Sequence, residues 1–192
     1  MNGFSLKNLR FSAAENLEKN RKIIERDEFF RSPAFSDDGF IERQQYLSEL
    51  HFGARDSAYG GCGWIAAYNL LHAAKTKTEL PVLISEAERG AVLKGVLGTS
   101  PFFIRKLLAR LGIVLRFFSK RSFISGRAER GFIYYVYRNF SGHFAAFTKE
   151  NSEGEARYRF YNVGKPPFIV SPKEFFKAEK PIFSIIFGEE RN

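Results

Sequence analysis

The chain falls into two halves, because apolar residues recur at helical spacing in the first half and in short runs in the second. Apolar positions three and four residues apart predict one or two amphipathic helices within residues 5–30. Residues 31–39 combine Pro, Ser, Asp and Gly without periodicity and predict a loop, while residues 40–50 are expected to form a short helix. These amphipathic segments need an apolar surface to pack on.

A buried helix is expected in the middle of the chain. The glycine pair Gly60-Gly61 precedes an apolar run at helical spacing, so residues 59–71 predict a loop that leads directly into a helix. A polar turn over residues 75–79 follows, and the next helix is expected over residues 85–94.

The clearest helix signals flank residues 101–111. Thr99 or Ser100 can serve as the N-cap, Pro101 suits the first turn, and Gly112 marks the C-terminal end. These signals predict a helix that begins and ends within the stretch.

The remainder of the chain predicts strands. Residues 113–118 form a β-branched and aromatic run, and residues 120–130 are polar and are expected to be a connection. Four further runs rich in aromatic and β-branched residues are separated by turn residues, at 132–137, 143–147, 157–163 and 182–187. Four strands at this spacing predict an antiparallel sheet.

The predicted fold class is therefore α+β, with the helical half first and the antiparallel sheet half second. No compositional break marks a second domain. The expected organisation is an N-terminal helical extension, residues 1–50, packed on a domain formed by residues 51–192.

Composition supports a globular protein and limits the chemistry. Of 192 residues, 44% are hydrophobic and 22 are Phe, which predicts a phenylalanine-rich core. The single cysteine excludes an internal disulfide, and its spacing from the three scattered histidines does not suit zinc, so neither a metal nor a cofactor is expected. No run approaches the roughly eighteen apolar residues of a membrane helix and no secretory signal is evident, so we expect a cytoplasmic protein without a membrane span.

The net charge of +9 is concentrated in one stretch. Residues 101–138 carry nine Lys or Arg and one acidic residue, Glu129. Such a stretch could meet nucleic acid, anionic lipid or an acidic substrate, or could be a solvated helix face. No nucleic-acid-binding motif accompanies the charge, so the sequence argues against nucleic acid as a partner.

Cys62 lies where the predicted loop meets the predicted buried helix. Unpaired backbone N–H groups and the positive end of the helix dipole at this position favour a thiolate, and the same N–H groups could hold an oxyanion. The alternative is that Cys62 is a small buried hydrophobic residue that packs the helix start.

Two polar residues in the sheet half could complete a site with Cys62. His143 opens one predicted strand and Asn162 lies near the end of the next, so a hairpin would bring them to the same edge of the sheet if they share a face. Cysteine chemistry needs a base near the sulfur and a third group that orients the base. His51 and His72 are expected to be structural or exposed.

Four short motifs in this order resemble the papain-like cysteine peptidase superfamily, and most closely its compact C39-like branch. The motifs are Gly61-Cys62-Gly63 before an alanine-rich helix, the SPFFIRKLLARLGI stretch, Gly142-His143-Phe144, and Tyr161-Asn162-Val163. The resemblance covers roughly residues 56–190. It implies a papain-like fold, Cys62 as nucleophile, His143 as base, Asn162 as the residue that orients the base, and a peptide or other amide as substrate.

The chain departs from this superfamily at position 56. A glutamine there usually completes the oxyanion hole, whereas this sequence has Asp56, and an ionised carboxylate cannot donate a hydrogen bond. Tyr59 could donate instead, as could Gln44, Gln45 or Arg55. The expected oxyanion and substrate-binding group is Tyr59, Asp56 and Gly142.

The function that the resemblance implies is a thiol hydrolase that cleaves a peptide or other amide bond. Two alternatives remain open at this stage. An acyltransferase would use the same acyl-enzyme, and a catalytically inactive papain-like module would use the cleft for binding or regulation. The substrate and the oligomeric state do not follow from the sequence.

Overall fold

The computed structural model describes residues 12–150, 155–164 and 168–190, and it has a mixed α+β fold with an antiparallel sheet. The predicted fold class is confirmed at this level. Residues 5–11 of the predicted N-terminal helices lie outside the described residues. The helices are α1 Ala13–Ile24, α2 Ser57–Gly60, α3 Cys62–Ala73, α4 Leu80–Glu88, α5 Pro101–Arg110, α6 Lys120–Ile124 and α7 Pro172–Glu179.

Within the described residues, six strands form the main sheet, in the order β3-β8-β4-β5-β6-β7, and every neighbouring pair is antiparallel. A separate two-stranded ribbon, β1 with β2, precedes α2. The strands are β1 His51–Phe52, β2 Arg55–Asp56, β3 Arg116–Phe118, β4 Ala128–Val136, β5 Gly142–Glu150, β6 Arg157–Tyr161, β7 Phe168–Val170 and β8 Phe183–Glu190. The four predicted strands of the sheet half are confirmed as β4, β5, β6 and β8.

The main sheet separates two apolar cores, because successive side chains along a strand point to opposite faces. One face packs on α3 through a set that includes Phe132, Phe144, Ala146, Tyr161 and Phe187. The other face packs on α6 and α7 through a set that includes Tyr135, Ala145, Phe147, Phe160 and Phe175. Phenylalanine is prominent in both sets, as the composition predicts.

The helix expected over residues 40–50 is wrong. Only Gln44–Tyr46 forms a single 3-10 turn. The Ile41 N–H donates to Asn69 Oδ1, and the Asn69 side-chain amide donates to the Ile41 carbonyl, each at 2.8 Å. These two bonds from helix α3 occupy the backbone groups of Ile41 that a local helix would use.

Other elements also differ from the sequence predictions, including β3, which begins at Arg116 rather than at residue 113. Helix α4 lies over Leu80–Glu88 rather than 85–94. Ala91 is extended and bridges to Thr99, and Leu93 and Lys94 have left-handed backbone angles, so no helix continues to residue 94. The stretch 120–130, expected to be a connection, contains helix α6 and the start of β4. Helix α7 was not expected at all.

The N-terminal segment is fastened to the rest of the molecule by polar side chains. Asn20 exchanges two hydrogen bonds with the backbone of His51, at 2.8 and 2.9 Å. Asn16 donates to the Gly53 carbonyl and to Glu88 Oε1. The buried residues of this segment belong to the same core as α3, namely Phe29, Ala34, Ile41, Leu47 and Leu50. No helix within the described ranges is long and apolar enough to cross a membrane.

Candidate active site

A cleft of about 410 Å³ lies at one end of the main sheet, where β4 and β6 end and β5 begins. Antiparallel order brings these three ends together. Residues from the N-terminal segment, from α2 and from the sheet line the cleft, including Gln44, Gln45, Ala58, Tyr59, Gly142, His143 and Asn162. Cys62 begins helix α3 beside this region.

The segment before Cys62 is a helical turn, α2, rather than the expected loop. The Asp56 carboxylate caps this turn by accepting the Tyr59 N–H at 2.9 Å. A side chain at Gly61 would come within 2.4 Å of the Ser57 carbonyl and 2.7 Å of the Trp64 ring nitrogen. The chain therefore needs glycine there to pass closely from α2 into α3.

The Cys62 thiol is buried, with 6% of the residue exposed. The nearby backbone N–H groups of Phe144, Gly63 and Cys62 itself favour the thiolate, but burial outweighs them and raises the pKa of Cys62 to about 11. The expected thiolate is therefore wrong for this conformation, in which Cys62 is a neutral thiol at pH 7. The helix start is present as predicted, but burial of the sulfur away from water has the larger effect on the pKa of Cys62.

The His143 ring is fixed by a main-chain oxygen. Its Nε2 lies 2.6 Å from the Asn162 carbonyl. Because a carbonyl oxygen only accepts, Nε2 carries the proton and Nδ1 is the free acceptor. Burial holds the pKa of His143 below its ordinary value, opposed by the Asn162 carbonyl and by the charge of Glu179. His143 is therefore a neutral base at pH 7.

The Asn162 side chain has a different partner from the one that the sequence suggested. Its Oδ1 accepts the Gln44 backbone N–H at 3.2 Å, and its Nδ2 donates to Gln44 Oε1 at 2.9 Å. Gln44 Nε2 in turn donates to the Ala58 carbonyl. Asn162 has left-handed backbone angles, φ 59°, which Asn tolerates better than most residues. Thus the backbone of Asn162 holds His143, while its side chain holds the N-terminal segment.

Cys62 and His143 occupy neighbouring places at the sheet end. The backbone N–H of Phe144, the residue directly after His143, lies near enough to the sulfur to favour its thiolate. The alternation of β5 points Phe144 toward α3 and His143 toward the face of Tyr135, whose ring centroid lies 5.6 Å from that of His143. Among the residues that the structure describes, no hydrogen bond joins the sulfur to the ring. Catalytic hydrogen bonds are often loose without substrate and tighten when it binds.

The other predicted site residues lie around the cleft with separate contacts. Tyr59 lines the cleft, is 58% exposed and stacks with the Arg55 guanidinium, 4.9 Å from its ring centroid. Gly142 also lines the cleft. Asp56 is committed to the cap of α2.

A tyrosine–carboxylate cluster behind His143 was missed by the sequence reasoning. Tyr135 and Tyr137 both donate to the Glu179 carboxylate, the former at 3.1 Å. Burial and this carboxylate raise the pKa of Tyr137 to about 12, so both tyrosines stay protonated at pH 7. Nothing in the sequence links Glu179 to a strand more than forty residues earlier.

A larger groove, of about 640 Å³, lies at the other end of α3 and is lined by residues such as Arg21, Tyr68, His72 and Lys77. We place the candidate site in the smaller cleft because His143 lines it and Cys62 lies beside it. His72 bonds the Asp38 carbonyl, which is a structural contact. Within the described ranges, no group of three or more His, Cys, Asp or Glu residues could hold a metal ion.

No protein-family model and no curated protein matches this chain.

Proposed function

We propose that the chain has a papain-like arrangement and acts as a thiol hydrolase on a peptide or other amide bond. The observation that carries this proposal is that the backbone N–H of Phe144 lies near the Cys62 sulfur, so the thiol is close to the start of β5, where the preceding residue His143 lines the cleft. A nucleophile with an adjacent neutral base, oriented by a third group, is the arrangement that thiol acyl transfer requires.

The reaction starts from a neutral pair. His143 Nδ1 takes the thiol proton as the sulfur attacks the substrate carbonyl and forms a C–S bond. The tetrahedral intermediate collapses, the C–N bond breaks, and the leaving amine receives the proton from His143. Water then gives a proton to His143 and attacks the thioester, the C–S bond breaks, and the sulfur regains its proton.

The test measures acylation of Cys62 by an activated ester. Wild type, Cys62→Ala and His143→Ala are mixed with p-nitrophenyl acetate, and release of p-nitrophenol is followed while mass spectrometry locates the acetyl group. We expect acetylation at Cys62 in the wild type and a loss of about 10²–10⁴-fold in rate for His143→Ala, the usual contribution of a general base. Wild-type release no faster than that of Cys62→Ala would refute the proposal.

One observation favours a second candidate, a papain-like binding module without catalysis. The thiol is buried and neutral, and in this conformation it is not bonded to the His143 ring. This candidate predicts that wild type and Cys62→Ala are equally inert toward the ester, so the same experiment separates the two.

A further inference from the structure

Tyr134 lies near the end of β4 on the face of the sheet that packs on α3. It pairs with Phe144 across the strands, and the two ring centroids are 5.0 Å apart. Phe144 is also the residue whose backbone N–H lies near the Cys62 sulfur. Tyr134 and Cys62 are therefore two neighbours of the same residue.

The Tyr134 hydroxyl lies over Gly142 at the edge of the cleft. A Cβ atom at Gly142 would come within 2.5 Å of this hydroxyl. The φ angle of Gly142 is not in the left-handed region, so its backbone would accept a side chain. The Tyr134 hydroxyl and ring are what would clash with one. The absence of a side chain at Gly142 leaves the space that the Tyr134 hydroxyl occupies.

The Tyr134 hydroxyl is available to donate a hydrogen bond. Within the described residues, the Tyr134 hydroxyl makes no hydrogen bond, unlike those of Tyr135 and Tyr137. Burial raises the pKa of Tyr134, and a negative charge on Cys62 raises it further, so the hydroxyl stays protonated at pH 7. The effect of the Cys62 charge also indicates that the hydroxyl lies near the sulfur. Hydroxyls in such half-buried positions usually find a partner.

Two of the other groups considered for the oxyanion are engaged elsewhere. The Asp56 carboxylate caps α2, and Gln44 Nε2 donates to the Ala58 carbonyl. The backbone N–H groups of Cys62 and Gly63 lie near the sulfur and favour its thiolate. An acyl-transfer site without a donor for the oxyanion would be slow.

We propose that the Tyr134 hydroxyl is the catalytic hydrogen-bond donor to the oxyanion that forms when Cys62 attacks a carbonyl. This inference rests on the proposed thiol hydrolase function. The hydroxyl donates to the substrate oxygen as negative charge develops there, and Gly142 keeps the position open for it.

The experiment compares two reactions of Cys62 in wild type and Tyr134→Phe. Acylation by p-nitrophenyl acetate passes through a tetrahedral oxyanion, whereas alkylation by iodoacetamide displaces iodide and forms no oxyanion. We expect acylation to fall by about 10²–10³-fold, the usual effect of removing one oxyanion donor, while alkylation stays within about twofold. Tyr68→Phe, which removes a half-buried hydroxyl on the distant part of α3, should leave both rates unchanged.

A second variant tests the same geometry without touching the tyrosine. Gly142→Ala should displace the hydroxyl and lower acylation by a similar factor, and the double variant Tyr134→Phe/Gly142→Ala should lose little more than either single variant. Additive losses would overturn the assignment.

The outcomes separate this inference from the proposal on which it rests. Acylation that is unchanged in Tyr134→Phe but abolished in Cys62→Ala overturns the role of Tyr134 and leaves the hydrolase standing. Equal losses of acylation and alkylation would show that Tyr134 acts on the thiol, which also overturns the inference. A wild type inert to the ester overturns both.

Discussion

Asn162 contributes its main chain to one contact and its side chain to another. The carbonyl accepts from His143, and the side chain exchanges two hydrogen bonds with Gln44. These contacts are separable by mutation because every substitution keeps the carbonyl. The left-handed backbone angle adds a further constraint that glycine satisfies and alanine does not.

Asn162→Gly should therefore lower stability while leaving the chemistry of Cys62 nearly intact. Loss of two hydrogen bonds, each worth about 0.5–1.5 kcal/mol, should reduce the free energy of unfolding in urea by about 1–3 kcal/mol. Asn162→Ala should cost about 1–2 kcal/mol more, because it also strains the backbone. If Asn162→Gly instead slows acylation as much as His143→Ala does, the side chain rather than the carbonyl orients the ring.

The N-terminal segment forms one wall of the cleft, and Arg159 of β6 holds it there. The guanidinium pairs with Asp38 and with Glu42, and it lies about 5 Å from the ring centroids of Phe40 and Tyr161, which stack on each other. Arg159 and the Gln44–Asn162 pair together fix residues 38–46 against the sheet. The element that carries Gln44 and Gln45 into the cleft is thus anchored at two points.

Arg159→Ala should destabilise the protein by about 1.5–3 kcal/mol near pH 7, the usual range for hydrogen bonds to charged groups. The destabilisation that this substitution causes should depend on pH. The pKa of Asp38 is lowered from 3.8 to about 2 by Arg159, so the pair stabilises the fold above pH 3.8 and loses that contribution as the pH falls toward 2. Urea unfolding at pH 7 and at pH 2.5 should show a smaller difference between wild type and variant at the lower pH. A constant difference would mean that Arg159 acts by packing alone.

At the scale of the whole molecule, sequence patterns predict local secondary structure well and long-range contacts poorly. The α+β class, the helix with Pro101 and Gly112 at its ends, and four strands follow from periodicity and turn residues. The turn at residues 44–46 does not, because Asn69, far along the chain, takes the backbone bonds of Ile41. Helix α7 has a local signal, the capping box of Ser171 and Glu174, which is visible in the sequence.

The candidate site shows the same division. The order of Cys62, His143 and Asn162 along the chain predicts a shared location, and the structure places the last two in one cleft with Cys62 beside it. The ionisation state of Cys62 was mispredicted because the helix start is visible in the sequence, whereas burial against the strand of Phe144 is not. Which atoms of Asn162 face His143 depends on a backbone angle that sequence patterns do not specify.

The first fifty residues should prove inseparable from the rest of the chain. Ile41, Leu47 and Leu50 are buried in the same core as α3, and removing them would expose that helix to water. A chain of residues 51–192 should show no cooperative thermal unfolding by circular dichroism, in contrast to the full chain. A truncated chain that unfolds cooperatively near the temperature of the full chain would show that the segment is a dispensable extension.

The central claim is that Cys62 and His143 act as one proton-sharing pair, and the most direct measurement is the pH profile of Cys62 alkylation. The rate of iodoacetamide modification is followed by mass spectrometry from pH 5 to pH 11 in wild type and in His143→Ala. A neutral thiol next to a neutral base yields a fraction of thiolate–imidazolium pair that is constant between the two pKa values.

The wild-type rate should rise as His143 loses its proton, below its ordinary pKa of 6.5, then remain level and rise again only toward pH 11, where Cys62 ionises alone. His143→Ala should lack the level region and show only the rise at high pH. Superimposable profiles, each with a single rise near pH 11, would contradict the pairing of Cys62 with His143.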